Sequence, residues 1–362
     1  MISREAEGNV ILELRAMGKK ELLANLLYHS GLWRPVSRLR PNGLVILNYH
    51  RIRQDHTTEP CLLDDGVFGP TQSAFERQVK WLKANFEVLP EAELLNVVRH
   101  TERFRSRFAA ITFDDGYRDN YDLALPILNA HAVPAIFFVC PAFIEERHIG
   151  WWDTIAYLVK AAPKGAILVR GETIPLNGPK AVAIRKLHGW MKLRPATETA
   201  GLMVELSEAC GVALPDHALR DRQLMTWDQI REAGRRGIAI GSHTHTHRVL
   251  AGLTEEDQRW ELLQSKAALE AQIGRPVRTL AYPVGGYQNF TAVTMRLARD
   301  CGYEGAFSFH TGVNLAGDGN PYNLRRIAPG DTLDAMFACG AALPEMFSWS
   351  HPLPASHREP AP

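Results

Sequence analysis

Six short apolar runs, at residues 44–49, 109–113, 135–139, 238–240, 279–282 and 306–309, each stop within two residues at His, Asp, Pro or Gly. Stretches of helical periodicity lie between them, the pattern expected where helices bury both faces of a parallel sheet. This alternation predicts an α/β chain, built as a barrel or as a doubly wound sheet. A length of 362 residues suits one barrel with accessories as well as two ordinary domains. With 46% hydrophobic and 22% charged residues, the chain has the material for a large core and is not disordered. Helix ends are signalled locally: Thr226 and Gln229 fit a capping box, and the run after Thr254 is closed by Gly274 and Pro276.

The alternation breaks over residues 145–225. Trp151-Trp152-Asp153, a hairpin signal across Arg170-Gly171-Glu172 and helical stretches at 181–193 and 198–209 suggest a mostly helical insertion there. Residues 1–42 are assigned to an N-terminal helical arm and linker, 43–335 to the barrel, and 336–362 to a Pro-rich tail. Within the arm, residues 9–33 read as an amphipathic helix with Val10, Leu14, Met17, Leu22, Leu23, Leu26 and Leu27 on its apolar face. Docking of that face on the barrel is the expectation. Peripheral membrane contact is the alternative, weakened because Glu13 and Glu21 dilute Lys19 and Lys20.

A net charge of +1 leaves no concentrated cationic surface for nucleic acid. No apolar run approaches the roughly 20 residues that span a bilayer, and Met1 to Gly8 is polar. A cytoplasmic protein, soluble or peripheral at the inner membrane face, is therefore expected. Cys61, Cys140, Cys210, Cys301 and Cys339 are scattered without a close pair, which predicts buried thiols rather than disulfides.

Three segments carry chemistry. Ile111-Thr112-Phe113-Asp114-Asp115-Gly116 ends a strand in two carboxylates, where α/β folds build their sites, although Asp-Gly is also ordinary turn chemistry. Ser242-His243-Thr244-His245-Thr246-His247 offers three imidazoles, two of which with one carboxylate would hold a divalent ion and leave positions for water and substrate. A turn or helix start would bring His243 and His247 together; an extended strand would pair neighbours two apart instead. Leu280-Ala281-Tyr282-Pro283-Val284-Gly285 is a strand end followed by a Pro/Gly loop, and alone it reads as a turn.

In this order the three segments resemble the polysaccharide deacetylase family, the carbohydrate esterases with a NodB homology domain. Asn48-Tyr49-His50-Arg51-Ile52, Trp151-Trp152-Asp153 and Leu324-Arg325-Arg326-Ile327 look like the branch found with exopolysaccharide and capsule synthesis. The resemblance covers residues 44–328 and implies a distorted (β/α) barrel of about seven strands. It also implies a divalent metal, usually zinc, with cobalt or nickel as substitutes, and hydrolysis of N-acetyl groups on the amino sugars of a polysaccharide; the polar start of the sequence adds a lipid-linked oligosaccharide precursor as the expected alternative. Carried over by position, it makes Asp115, His243 and His247 the metal ligands and Asp114 the catalytic base. His245 falls on a variable position, and the Tyr282 backbone N–H becomes the oxyanion donor.

Two departures stand out. Ala281 occupies the place of an arginine that orients the base in relatives, so Arg326 is the candidate replacement, with Arg325 as the alternative. The late histidine that supplies the general acid is missing, so His50 is assigned that role and His310 is the runner-up. Trp151, Trp152 and Tyr287 are candidate sugar-stacking rings, with core packing equally open to the tryptophans. Tyr117, Asp119 and Tyr121 are expected only to support the site. Competing functions are an amidohydrolase of small non-glycan substrates, a catalytically silent glycan-binding barrel, and a two-histidine, one-carboxylate iron site.

Overall fold

The computed structural model describes residues 19–39, 42–56, 61–100, 104, 106–146, 149–192, 198–316, 320–329 and 334–343. Along the chain follow β1 (Gly43–Tyr49), β2 (Arg51–Arg53), β3 (Phe68–Thr71), β4 (Glu87–Val88), β5 (Phe108–Phe113) and β6 (Ile136–Val139). After them come β7 (Ala166–Val169), β8 (Glu172–Pro175), β9 (Ala239–Ser242), β10 (Thr279–Ala281), β11 (Gly305–Phe307) and β12 (Asn314–Leu315). Seven of these strands form one curled sheet in the order β11-β10-β9-β6-β5-β1-β12, with β4 paired to β5 off this path. Its neighbours run parallel except β12, which returns antiparallel on Gly43 and Leu44. The extended segment 324–327 links the sheet's two ends, because Leu324 bridges Phe307 and Ile327 bridges Leu47. The expected distorted barrel is the fold that forms.

Strand periodicity explains the two core layers. Val45, Leu47, Ile111 and Phe137 pack on one face with Phe75, Val79 and Leu262 from surrounding helices. Leu44, Ile46, Ala110 and Phe138 point to the other face, where Leu94, Leu95 and Val98 of the helix Glu91–Arg99 fill the lumen. Each fully buried large apolar side chain contributes roughly 1.5–3 kcal/mol, so both layers depend on the same strands. Parallel pairing aligns the strand ends, and His50, Asp114, Cys140, His243 and Tyr282 are the first residues beyond β1, β5, β6, β9 and β10.

The insertion has its own apolar cluster. Ile155, Leu158, Ile167, Ile174, Leu187 and Leu206 join helices Trp151–Ala161, Lys180–Lys192 and Thr199–Cys210 to the β7–β8 hairpin. The Thr226–Gln229 capping box and a left-handed Gly274 cap form as the sequence signals.

The arm departs from expectation. Its helix Lys19–His29 packs through Ala24 against Cys339, Ala342 and Leu343, while Leu22, Leu23 and Leu26 face outward. Leu27, also on the expected apolar face, does pack against this cluster. Val10, Leu14 and Met17 lie outside the described residues. The partner helix, Asp334–Ala342, runs across the 335/336 boundary drawn from sequence, so residues 336–342 are packed structure rather than tail. Four cysteines are buried as expected, whereas Cys61 is exposed. Among the described residues no helix is long and apolar enough to cross a membrane.

Candidate active site

Asp115 (φ 73°) and Gly116 (φ 77°) turn the chain sharply out of β5. Thr244 (φ 62°) and His247 (φ 60°) do the same after β9, so residues 243–247 form a tight loop, neither strand nor helix. Left-handed non-glycine backbone is costly and persists where surroundings over-determine it. Here the holding group is Glu261, fully buried on the helix Glu255–Ile273, which accepts the N–H of His245 at 2.9 Å and of Thr246 at 2.8 Å. Thr246 Oγ1 also donates to Glu261. The loop settles the pairing left open by sequence: His243 and His247 meet with ring centroids 4.8 Å apart. His245 turns away onto Trp260.

His243 Nε2 and His247 Nε2 approach Asp115 Oδ1 at 3.4 and 3.3 Å. These contacts are long for hydrogen bonds, and Asp115 Oδ1 is a buried oxygen without a hydrogen-bond partner. Ligand atoms of the three residues lie within 4.8 Å of one another. His243 Nδ1 donates to the Ala281 carbonyl at 2.9 Å, which turns the Nε2 lone pair toward Asp115, as a ligating imidazole requires. Burial alone would raise Asp115 and lower His243, yet the neighbouring His243 and His247 hold the Asp115 carboxyl well below its ordinary value, and Asp114 and Asp115 together push His243 up. At His247 burial prevails and the pKa falls. Two nitrogens and an orphaned carboxylate oxygen, converging in a buried anionic setting, fit a divalent ion such as zinc.

Asp114 lies beside this triad. Arg326 donates to its two oxygens at 2.7 and 2.8 Å, and to Asn48 Oδ1 at 3.0 Å and the Ser308 carbonyl at 2.9 Å. Burial acts to raise Asp114, but the Arg326 guanidinium, then His243, outweighs it and holds the carboxyl below its ordinary value. Arg325, the alternative, donates its backbone N–H to Asn314 Oδ1 and sends its guanidinium to the Val313 carbonyl instead. His50 reaches within 4.0 Å of Asp114 and lines the cavity above it. His310 stacks on Tyr287 at 3.6 Å between ring centroids, and both lie outside the cavity lining.

The Tyr282 assignment needs correction. Its N–H donates to the Phe307 carbonyl at 3.0 Å in the β10–β11 pairing, and so is not free to meet an oxyanion. Val284, also in the cavity lining, takes φ 61°, a genuine outlier for a β-branched residue.

The cavity, about 260 Å³, is walled by the barrel rim on one side and on the other by Trp151, Trp152, His188, Lys192 and the loop Asp64–Val67. Trp152 is buried against His247 at 4.7 Å, and its Nε1–H donates to the Tyr117 hydroxyl at 2.8 Å. Tyr117 in turn donates to Asp153 at 2.8 Å, and Arg51 pairs with Asp119 at 2.8 Å and lies over the Tyr117 ring. Sequence reading missed Glu261, Asp64, His188 and Asn48. Only Asn48 had a signal, its place at a strand end beside His50; Glu261 sits in the run Glu255-Glu256-Asp257-Gln258-Arg259-Trp260-Glu261, indistinguishable from a solvated helix face.

A family model described as polysaccharide deacetylase matches residues 101–306. YxkH of Bacillus subtilis (strain 168), named for the same family, is 23% identical over 289 residues, which are 80% of this chain and 72% of that protein. The poly-beta-1,6-N-acetyl-D-glucosamine N-deacetylase of Staphylococcus aureus (strain MSSA476) is 26% identical over 125 residues, 33% of this chain and 43% of that relative. Among solved structures, the Streptococcus pyogenes deacetylase PplD in complex with acetate superposes with a TM-score of 0.55 at 17% identity, covering 84% of this chain and 99% of that one. That likeness is one of fold.

Proposed function

Because this chain belongs to the polysaccharide deacetylase family, we propose that it is a metal-dependent hydrolase removing N-acetyl groups from amino sugars of a polysaccharide or lipid-linked glycan precursor. The observation that carries this reading is a buried carboxylate, Asp114, clamped by Arg326 directly beside the Asp115–His243–His247 triad. Asp115, His243 and His247 would hold the ion, zinc being favoured by the nitrogen and oxygen donors and cobalt or nickel being able to replace it. When bound, the ion supplies a Lewis acid for the amide carbonyl and eases deprotonation of water.

The protein's own groups do the rest. Asp114, ionised at neutral pH, takes the proton of the attacking water, and Arg326 keeps it aimed. A carboxyl held low is a weak base, so it works only on a water already made acidic. To His50, 4.0 Å from Asp114, we assign protonation of the leaving amine; its distance to the carboxylate supports that reading. With the Tyr282 N–H engaged in the sheet, the Val284 N–H is the loop donor we assign to the charge developing on the amide oxygen.

The relative's name makes N-acetylglucosamine oligomers the first substrates to try. Acetate release should require added Zn, Co or Ni. Asp114→Asn should keep full metal content by elemental analysis while kcat falls at least about a hundredfold. Retained turnover in that variant would remove Asp114 as the base, and undiminished metal in Asp115→Ala and His247→Ala would remove the metal centre.

A further inference from the structure

The geometry points to a second sugar subsite on the insertion side of the cavity, formed by Trp151, Asp64 and His188, which binds the pyranose next to the one being deacetylated. The inference rests on the deacetylase reading of the same cavity and names its substrate class: an oligomer rather than a single sugar.

Position comes first. Ring contacts lead outward from the metal centre, His247 to Trp152 at 4.7 Å, Trp152 to Trp151 at 5.4 Å, and Trp151 to His188 at 5.4 Å. Two indoles thus lie between His188 and His247 in this chain of ring contacts, and none of the three subsite residues takes part in the chemistry assigned above. All three line the cavity.

Hydrogen-bonding chemistry comes second. Asp64 Oδ2 faces His188 Nδ1 at 3.8 Å, beyond hydrogen-bond reach. His188 Nε2 lies 3.2 Å from the Trp152 carbonyl, which can only accept, so Nε2 carries the proton and Nδ1 is left as an acceptor. Burial lowers the His188 pKa, which keeps the ring neutral at neutral pH. Two acceptors therefore sit side by side on the cavity wall, 3.8 Å apart, and each can take a proton from a separate donor that reaches them from the cavity. Vicinal sugar hydroxyls supply such a pair, and the half-buried Trp151 offers an apolar face for the ring's C–H side.

The subsite is also pre-organised. Asp153 Oδ1 accepts the Asp64 N–H at 2.9 Å, and its other oxygen accepts the Tyr117 hydroxyl that anchors Trp152. Gly66 N–H fixes the Asp64 carboxylate at 3.0 Å. One buried carboxylate thus sets the loop and the tryptophan pair together.

The test compares N-acetylglucosamine with its tetramer. In the unaltered protein the tetramer should exceed the monomer in kcat/KM by at least about tenfold, the scale of one hydrogen bond to a charged group plus a stacked ring. Asp64→Asn, which keeps the shape, and Trp151→Ala should each bring that ratio toward one. A ratio unchanged in both variants, or monomer and tetramer losing equally, overturns the subsite. Tryptophan fluorescence titration with the tetramer needs no hydrolysis. At least tenfold weaker binding by Asp64→Asn supports the subsite even if no acetate is released, whereas equal binding refutes it whatever the activity.

Discussion

On the barrel side of the cavity, Arg326 is 1% exposed at its side chain and meets Asp114 with two short hydrogen bonds; across it, the Asp64 and His188 side chains are 17% and 14% exposed and stand 3.8 Å apart. The first arrangement satisfies its charges internally, and low dielectric makes such a pair sensitive to any loss. The second leaves acceptors for a guest to satisfy and keeps contact with water. Reaction chemistry wants an invariant field, whereas recognition wants groups that gain a partner only when substrate arrives.

The two walls should differ most at Arg326. Arg326→Gln leaves the Asp114 charge buried and unpaired, and urea unfolding should show a loss of about 3–5 kcal/mol. Asp64→Asn, on the partly solvated side, should cost no more than about 1 kcal/mol. Equal costs would mean that the two walls do not differ in the way their exposure indicates.

A smaller effect is expected at Glu261, which clamps the 243–247 loop without touching the triad. Glu261→Gln weakens two charge-assisted bonds to backbone N–H groups. Metal affinity, measured by competition with a chelating dye, should fall about 10–100-fold, the scale for residues that orient ligands. Unchanged affinity would show that the loop holds itself.

The smallest effect belongs to the seam between the two walls, at Asp153. Burial pushes its pKa up from 3.8 to about 6, partly offset by Arg51. A folded-state pKa above the unfolded value adds stability that is complete below the unfolded pKa and is lost as pH rises through the folded one. The melting temperature of the native protein minus that of Asp153→Asn should therefore fall as pH goes from about 4 to about 7 and level off above it. A difference independent of pH would place the carboxyl in contact with solvent.

Much of the site was legible because its signals are local. A strand that ends in Asp114-Asp115-Gly116, and another that ends in histidines four apart, announce themselves over a few residues. His50 could be ranked only by its place at a strand end and Arg326 only as a substitute, on a later strand, for the arginine missing at Ala281; the structure brings both to Asp114. Tyr282 misled because its N–H is claimed by Phe307, a pairing that depends on the register of β11. The arm was only half legible because periodicity identifies an apolar face but not which part of it docks: Ala24 and Leu27 pack against the chain's last described helix, whereas Leu26 remains 62% exposed. Among the charged residues of the helix Glu255–Ile273, nothing but tertiary burial distinguishes Glu261.

By itself the sequence determined the alternation of strands and helices, the helix caps, the insertion's hairpin and the four residues that crowd two strand ends. Each follows from interactions spanning a few residues, such as side-chain period, capping hydrogen bonds and turn chemistry. The tertiary structure alone decided which arginine meets Asp114 across 212 residues of chain, which N–H groups stay free, and which acid is buried beneath the histidine loop. Those outcomes depend on desolvation and on strand register, and both exist only once the sheet has curled and its ends are joined.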